Sequence, residues 1–474
     1  MNFENEYVSF NERGNEESER KLDYKIIIYG IIGSLSSLQF GYHISEYNLP
    51  EKEFLECVVK NNQDLYPNLP TCILLDKHQF SFLTGLLPLF SLFGTFLAPI
   101  LLSKLNSKSS LLLNNIFFVI GSLFNSLSFN YFHLLIGRAL CGLGSGIAMV
   151  VVPIYLTQIA PLNYKGLLGT FNQLFIVLGI VITMLIGFFY SWRFILFIGI
   201  IIPFIQIILF SYFKSNNDTE NEYQVIEEGI EHENDNSDDN DNQNINSSTS
   251  NDNSFFKNCL SIFLNNKYNK CLLLLLFLHI SQQMSGINSI MYFSTTILKD
   301  LKGVDAKLIS LLLNLFQLMI TLFITKIIEV KGRRVLFLYS CLTMSVALFG
   351  LAFSLNYNLI ILATLFLFLS IIGYSIGLGA LPFLLIGEFF EGEFLTVAST
   401  LSLITNLLGN FLIASLFLPF TELFPKDQIG SPFLLFSIYL LIAAIISYFI
   451  FPETKNNTVA QNQNNLYLNV QKLF

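Results

Sequence analysis

Seven carboxamide side chains stand inside long apolar runs of this 474-residue chain: Gln173, Gln282, Gln283, Asn288, Gln317, Asn406 and Asn410. An amide donates and accepts at once and carries no charge, so it can pair with two neighbouring hydroxyl groups. Within a lipid-embedded helix such a group should face a cavity or another helix. The chemistry open to the set is recognition of a neutral, hydroxyl-bearing molecule, and the competing use is hydrogen bonding between helices. Asn406 and Asn410 are four residues apart and share a helix face. Gly286, after Ser285, tolerates unusual backbone angles, and a local unwinding there would let Gln282, Gln283 and Asn288 converge. Gly142 and Gly146 read as a helix-packing pair. Catalytic patterns are missing: no GxxxxGK(S/T) loop, HExxH or GxSxG occurs. Six cysteines without a CxxC spacing speak against a metal site. An enzyme, an ATP-driven pump and a resident cofactor or metal are therefore not expected.

The elements that must hold these amides are membrane helices. Apolar residues make up 53% of the chain and charged residues only 13%, which excludes a soluble globular enzyme. Apolar runs predict twelve spans near 25–48, 79–102, 109–129, 132–160, 167–189, 193–213, 270–298, 307–328, 334–355, 359–387, 395–420 and 431–451. The expected fold is all-α: twelve transmembrane helices in two six-helix bundles, at 25–213 and 270–451, between a tail at 1–24 and a tail at 452–474. Between the bundles lies a linker at 214–269, rich in Asn, Asp, Ser and Glu, with helix expected only near its ends. Ser215 to Ser254 holds twelve acids and no Lys or Arg, so the net charge of −8 belongs to this tract. Nucleic acid is not an expected partner; the lipid bilayer is. Most Lys and Arg cluster at one end of the spans, among them Lys104, Lys108, Arg333 and Lys455, which places both termini in the cytosol. Cys57 and Cys72 then share a non-cytosolic loop, where they can pair; two free thiols are the alternative.

Several blocks carry a family resemblance. Leu38-Gln-Phe-Gly-Tyr42 ends the first span, and Gly137-Arg138 opens a glycine series in the fourth that runs to Pro153-Ile-Tyr155. Trp192-Arg193 begins the sixth, Gln282-Gln-Met-Ser-Gly-Ile-Asn288 lies in the seventh, and Gly332-Arg-Arg334 follows the eighth. Gly377, Gly379, Pro382 and Glu388 mark the tenth, and Pro452-Glu-Thr-Lys455 closes the last. In this order and spacing, from about 25 to 455, they resemble the sugar porter family of the major facilitator superfamily, which includes facilitative glucose transporters and fungal hexose transporters. The resemblance implies sugar translocation by alternating access, with a hexose as the first candidate and a polyol as another. It implies sugar contacts at Gln173, Gln282, Gln283, Asn288 and Asn406, puts Gln317 where the family has Asn, and puts Phe383 where it often has a ring-stacking Trp. It also implies a cytosolic gate of Glu329, Arg333, Arg334 and Glu388.

The departures from the family pattern shape the remaining expectations. The loop Ser103 to Ser109 lacks the family's acidic residue and Gly-Arg-Arg, and Gln158 replaces a Glu. Leu395 and Leu407 replace an Arg and a Trp. With the N-terminal latch largely neutral, a resting population facing inward is expected. Proton-coupled relatives carry an Asp directly after the Gly-Tyr of the first span, where this chain has His43. Facilitated diffusion is thus the first expectation, with proton symport and a non-transporting sugar sensor as alternatives. Glu46, three residues on, could form a replacement proton site with His43, or sit solvated at the wet end of a helix that stops before Pro50; the latter is the expectation. No oligomeric state is fixed by the sequence, and a monomer is expected to function.

Overall fold

The computed structural model describes residues 24–57, 69–161, 164–215, 251–291, 306–421, 423–425, 430–455 and 457–472. The N-terminal half begins with α1 (Tyr24–Ser45), a short α2 (Glu51–Leu55), α3 (Lys77–Leu102), α4 (Ser107–Ser126), α5 (Tyr131–Ile159) and α6 (Lys165–Phe189). Its sixth span is two pieces, α7 (Trp192–Ile198) and α8 (Ile201–Ser215). After α9 (Asn251–Leu264) come α10 (Asn266–Gln283), α11 (Ala306–Val330), α12 (Arg333–Asn356) and α13 (Ile360–Gly373). A π-turn, Tyr374–Leu378, leads into α14 (Leu381–Phe389), then α15 (Gly392–Thr421), α16 (Ser431–Ile450) and α17 (Val459–Gln471).

Ten helical stretches among the described residues are long and apolar enough to cross a membrane. α1 and α11 complete the twelve. α1 is less apolar because Ser34, Ser36, Ser37, Gln39 and His43 are buried inside the bundle, where each polar side chain meets protein and not lipid. Large apolar residues such as Phe93, Phe96, Ile361 and Phe449 point outward, as lipid-facing positions should. One hydrophobic core joins residues of the C-terminal half, from Ile262 to Leu466; a second occupies the N-terminal half and takes in Leu311, Phe383, Leu403 and Leu407 from across the interface.

Close packing depends on small residues. A Cβ on Gly142 would meet the Leu87 carbonyl at 2.7 Å, and one on Gly146 would strike the carbonyl of Ser91, so α3 and α5 touch backbone to backbone. Ser91 Oγ donates to the Gly142 carbonyl at 3.0 Å across that contact.

Three features depart from the sequence reading. The sixth span breaks at Gly199-Ile200, and the tenth contains the π-turn; neither break shows as a gap in hydropathy. The 452–474 tail is not a plain tail. Thr458 caps α17, Leu466 is fully buried, and Asn462 and Gln463 donate to the Glu388 and Phe389 carbonyls at 2.9 and 2.8 Å. Those carbonyls end α14 and have no helical partner of their own, so the tail serves as their cap. The acidic middle of the linker, 216–250, lies outside the described residues.

At the face opposite the termini, Tyr47, Phe54, Ile73, Phe80 and Trp192 form a separate small core. Cys57 and Cys72 are joined there by a disulfide. Arg193 stacks on Trp192 with 4.1 Å to the ring centroid and donates to the carbonyls of Pro70, Ser126 and Ser128. Closing a loop of 15 residues removes chain entropy from the unfolded state, about 3 kcal/mol for that length. Cys57→Ser/Cys72→Ser is therefore expected to lower the apparent melting temperature by several degrees. Peptide mapping of freshly quenched protein that recovered both cysteines alkylated without reductant would contradict the pairing.

Candidate functional site

A cavity lies between the two halves, with about 550 Å³ of empty space when the open solvent at its mouth is included. All eight residues read from the sequence as solute contacts line it: Gln173, Gln282, Gln283, Asn288, Gln317, Phe383, Asn406 and Asn410. The N-terminal half contributes mostly apolar wall, Phe40, Ile44, Met149, Ile176 and Ile180, with Gln173 as its amide. No Asp, Glu, Lys, Arg or His is among the described lining residues, so the cavity is electrically neutral. A second, narrow cavity shares Gln173 and Tyr374 and continues past Thr170, Thr321 and Ile328 toward the face that carries the termini.

Backbone breaks bring the polar groups together. α10 stops at Gln283, and Gly286 takes φ of +69°. A side chain there would be strained by φ alone and would meet the Phe436 ring at 2.6 Å. The helix resumes at 287–291, and this step turns Asn288 back so that its Nδ2 donates to Gln283 Oε1 at 2.5 Å. Opposite, the π-turn leaves the Gly379 carbonyl to accept from Gln282 Nε2 at 2.9 Å, and Tyr374 OH lies 3.3 Å from the same nitrogen. Gln282 Oε1 accepts from Asn406 Nδ2 at 2.6 Å. One amide thus ties α10, the π-turn and α15 together. Gln317 is buried, and its Oε1 has no partner among the described residues, which leaves an acceptor facing a neutral space.

Tyr374 was not legible as a site residue. An extra residue in the π-turn shifts the helix register, so a face assigned by α-helical spacing puts it elsewhere. His279 was also missed: it sits behind the cavity, edge-on to Phe383 with centroids 5.1 Å apart. Other buried amides serve as helix glue. Gln39 Nε2 donates to Asn115 Oδ1 at 3.0 Å, and Ser36 Oγ to Gln206 Oε1 at 3.0 Å, all inside the N-terminal half.

Of the gate residues, Arg333 Nε and Glu388 Oε1 form an ion pair at 2.9 Å. The second Glu388 oxygen accepts from Thr454 Oγ1 at 2.5 Å, and the Arg333 backbone N–H donates to Glu453 Oε1 at 2.7 Å. Arg334 is not part of this cluster: it donates to the Tyr448 carbonyl and lies over the Tyr448 ring. The side chain of Glu329 lies outside the described residues. In the N-terminal half, at the same face, Ser107 Oγ donates to Gln158 Oε1 at 2.7 Å, a neutral contact where the C-terminal half has a charged one.

His43 and Glu46 do not line the cavity. Glu46 is not solvated, which corrects the reading of it as a wet helix end. It is 1% exposed, 2.6 Å from Arg138 Nη1 and 2.8 Å from His43 Nδ1. The helix does stop at Ser45, but the chain then runs beneath the Tyr47–Trp192 core, so the end of the helix is not the end of the protein. Phe118 stacks on His43 at 5.4 Å, and Arg138 lies 4.9 Å from the Tyr47 ring centroid. Both Arg138 Nη1 contacts, to Glu46 and to the His43 carbonyl, leave Nε and Nη2 unpartnered among the described residues.

Comparison with known proteins agrees with this architecture. The profile of the family described as "Sugar (and other) transporter" matches residues 29–466. A probable metabolite transport protein of Saccharomyces cerevisiae is 26% identical across 94% of this chain and 96% of its own length. Vacuolar protein sorting-associated protein 73 of the same yeast is 28% identical across 95% and 97%. Facilitated glucose transporter member 3 of Canis lupus familiaris is 25% identical across 93% and 92%. Among solved structures, the proton:xylose symporter XylE bound to 6-bromo-6-deoxy-D-glucose superposes with a TM-score of 0.72 at 18% identity, covering 93% of this chain and 99% of that one. That likeness shows the major facilitator fold. The chain is a multi-pass membrane protein and belongs to the family of sugar (and other) transporters.

Proposed function

We propose that the protein carries a hexose by alternating access, as facilitated diffusion. The observation that carries the reading is the neutral cavity between the halves, with amides from α6, α10, α11 and α15 converging on it. Amides and a phenol suit a solute with many hydroxyls and no charge. Relatives named as facilitated glucose transporters support the hexose. Both termini are taken to face the cytosol, because Lys104, Lys108, Lys331 and Arg333 gather at the terminal face. Uptake into proteoliposomes across a panel of hexoses, pentoses and polyols tests this. Saturable, stereospecific equilibration of a hexose is the expected result, and no transport of any sugar by folded protein would sink it.

The buried His43–Glu46–Arg138 cluster favours one second reading, proton symport. A carboxylate and an imidazole in a membrane helix form a candidate proton site. Facilitated diffusion keeps precedence because the cluster is separate from the cavity and Glu46 is held by Arg138. Uphill accumulation driven by a pH gradient, and lost in Glu46→Gln, would reverse the order.

The resting protein is expected to favour the inward-facing state. Its gate charges pair within the C-terminal half, while the N-terminal half offers neutral contacts. The smaller cavity also leads toward the terminal face. On the far side Asn48 Nδ2 donates to the Met291 carbonyl at 2.5 Å, joining the halves there. A bias of about 1.4 kcal/mol is tenfold in population. Cysteine-accessibility labelling of Thr170→Cys and Thr321→Cys should be faster from the terminal side; the opposite asymmetry would contradict the bias.

A further inference from the structure

The orientation of the central amides is fixed by one backbone atom. The Gly379 carbonyl can only accept, so the group of Gln282 facing it at 2.9 Å must be the amide nitrogen. Gln282 Oε1 then points at Asn406, and the Asn406 atom 2.6 Å away must be its donor, Nδ2. The same Nδ2 lies 3.1 Å from His279 Nδ1. A nitrogen that donates to Gln282 has one further hydrogen and no lone pair to offer, so His279 Nδ1 must be the acceptor. The imidazole is therefore the neutral tautomer with its proton on Nε2, an atom with no partner among the described residues. Both hydrogens of the Asn406 amide are now committed. What Asn406 can turn to the cavity it lines is its carbonyl, Oδ1. Tyr374, which accepts from Gln282, keeps its O–H to donate.

We propose that His279, although it is absent from the cavity wall, is a positioning residue that locks Asn406 with its carbonyl toward the substrate, so that the site reads a hydroxyl as a donor at that point. This rests on the sugar-transport reading above. Without the His279 acceptor, Asn406 is held only by its bond to Gln282 Oε1, and the freed hydrogen of Nδ2 can swing toward the cavity in place of Oδ1.

The test is binding of a transported hexose and its single-position fluoro analogues to the full chain in proteoliposomes. Fluorine replaces a hydroxyl without a hydrogen to donate. In wild type, at the position read by Asn406, the fluoro analogue should bind at least tenfold more weakly than the parent. In His279→Leu that penalty should shrink to within threefold, with the penalties elsewhere on the ring unchanged. His279→Asn, whose carbonyl can replace Nδ1 as acceptor, should restore the wild-type pattern. If His279→Leu does not fold, His279→Gln decides, since its amide extends to the Nε2 position and leaves the Nδ1 position empty; the same relaxation is expected. An unchanged fluoro pattern in the folded Leu or Gln variant overturns the proposal. Wild-type protein that binds no sugar overturns the transport reading itself, and this inference with it.

Discussion

Gln282→Ala is expected to weaken sugar binding by tenfold or more while the protein still folds. The side chain holds three groups at once: the Gly379 carbonyl, Tyr374 OH and Asn406 Nδ2. Its removal strands the Gly379 carbonyl, takes the donor from Tyr374 OH and leaves Asn406 Nδ2 with His279 alone, at about 1–3 kcal/mol for each buried group that finds no new partner. A water can fill part of the vacated volume and recover some of that cost. Asn406 is then held by His279 alone, so the effect exceeds that of a single contact. Asn288→Ala is the comparison. It removes the hydrogen bond to Gln283 Oε1 and one cavity-lining amide, and a smaller loss, three- to tenfold, is expected. Equilibrium binding by isothermal calorimetry or scintillation proximity would measure both. Wild-type affinity in both folded variants would remove α10 from the site.

Arg138→Met should be the most destabilising single change outside the cavity. Arg138 is fully buried and Glu46 is 1% exposed, so the substitution leaves a carboxylate in a low-dielectric interior without its guanidinium, with His43 Nδ1 still beside it. Breaking such a pair from one side costs about 3–5 kcal/mol. Adding Glu46→Gln should recover much of the loss, because the stranded charge goes with it. Thermal unfolding in detergent reads this directly: a large fall in apparent melting temperature for the single variant and a smaller one for the double. A single variant as stable as wild type would mean the pair is hydrated and contributes little. The two predictions separate function from stability, since the cluster and the cavity share no lining residue.

The number of spans, the interrupted seventh helix and the eight cavity residues were legible in the sequence. Each depends on local information: hydropathy over about 20 residues, a glycine at a break, and polar amides in apolar runs that have few places to go. Cys57 and Cys72 were legible as a possible pair, but the choice between a bond and free thiols needed their positions in space. The tertiary structure alone decided which amides line the cavity and which are glue. Gln39 and Gln282 look alike as sequence, yet one packs among α4 and α8 side chains and the other faces the cavity. It alone decided that Glu46 is buried, because its partner Arg138 lies on α5 and the Phe118 ring that stacks on neighbouring His43 lies on α4, both far along the chain. Tyr374 and His279 escaped for a related reason. A π-turn changes which face a residue occupies, and the orientation of a carboxamide is set by whichever long-range partner can only accept.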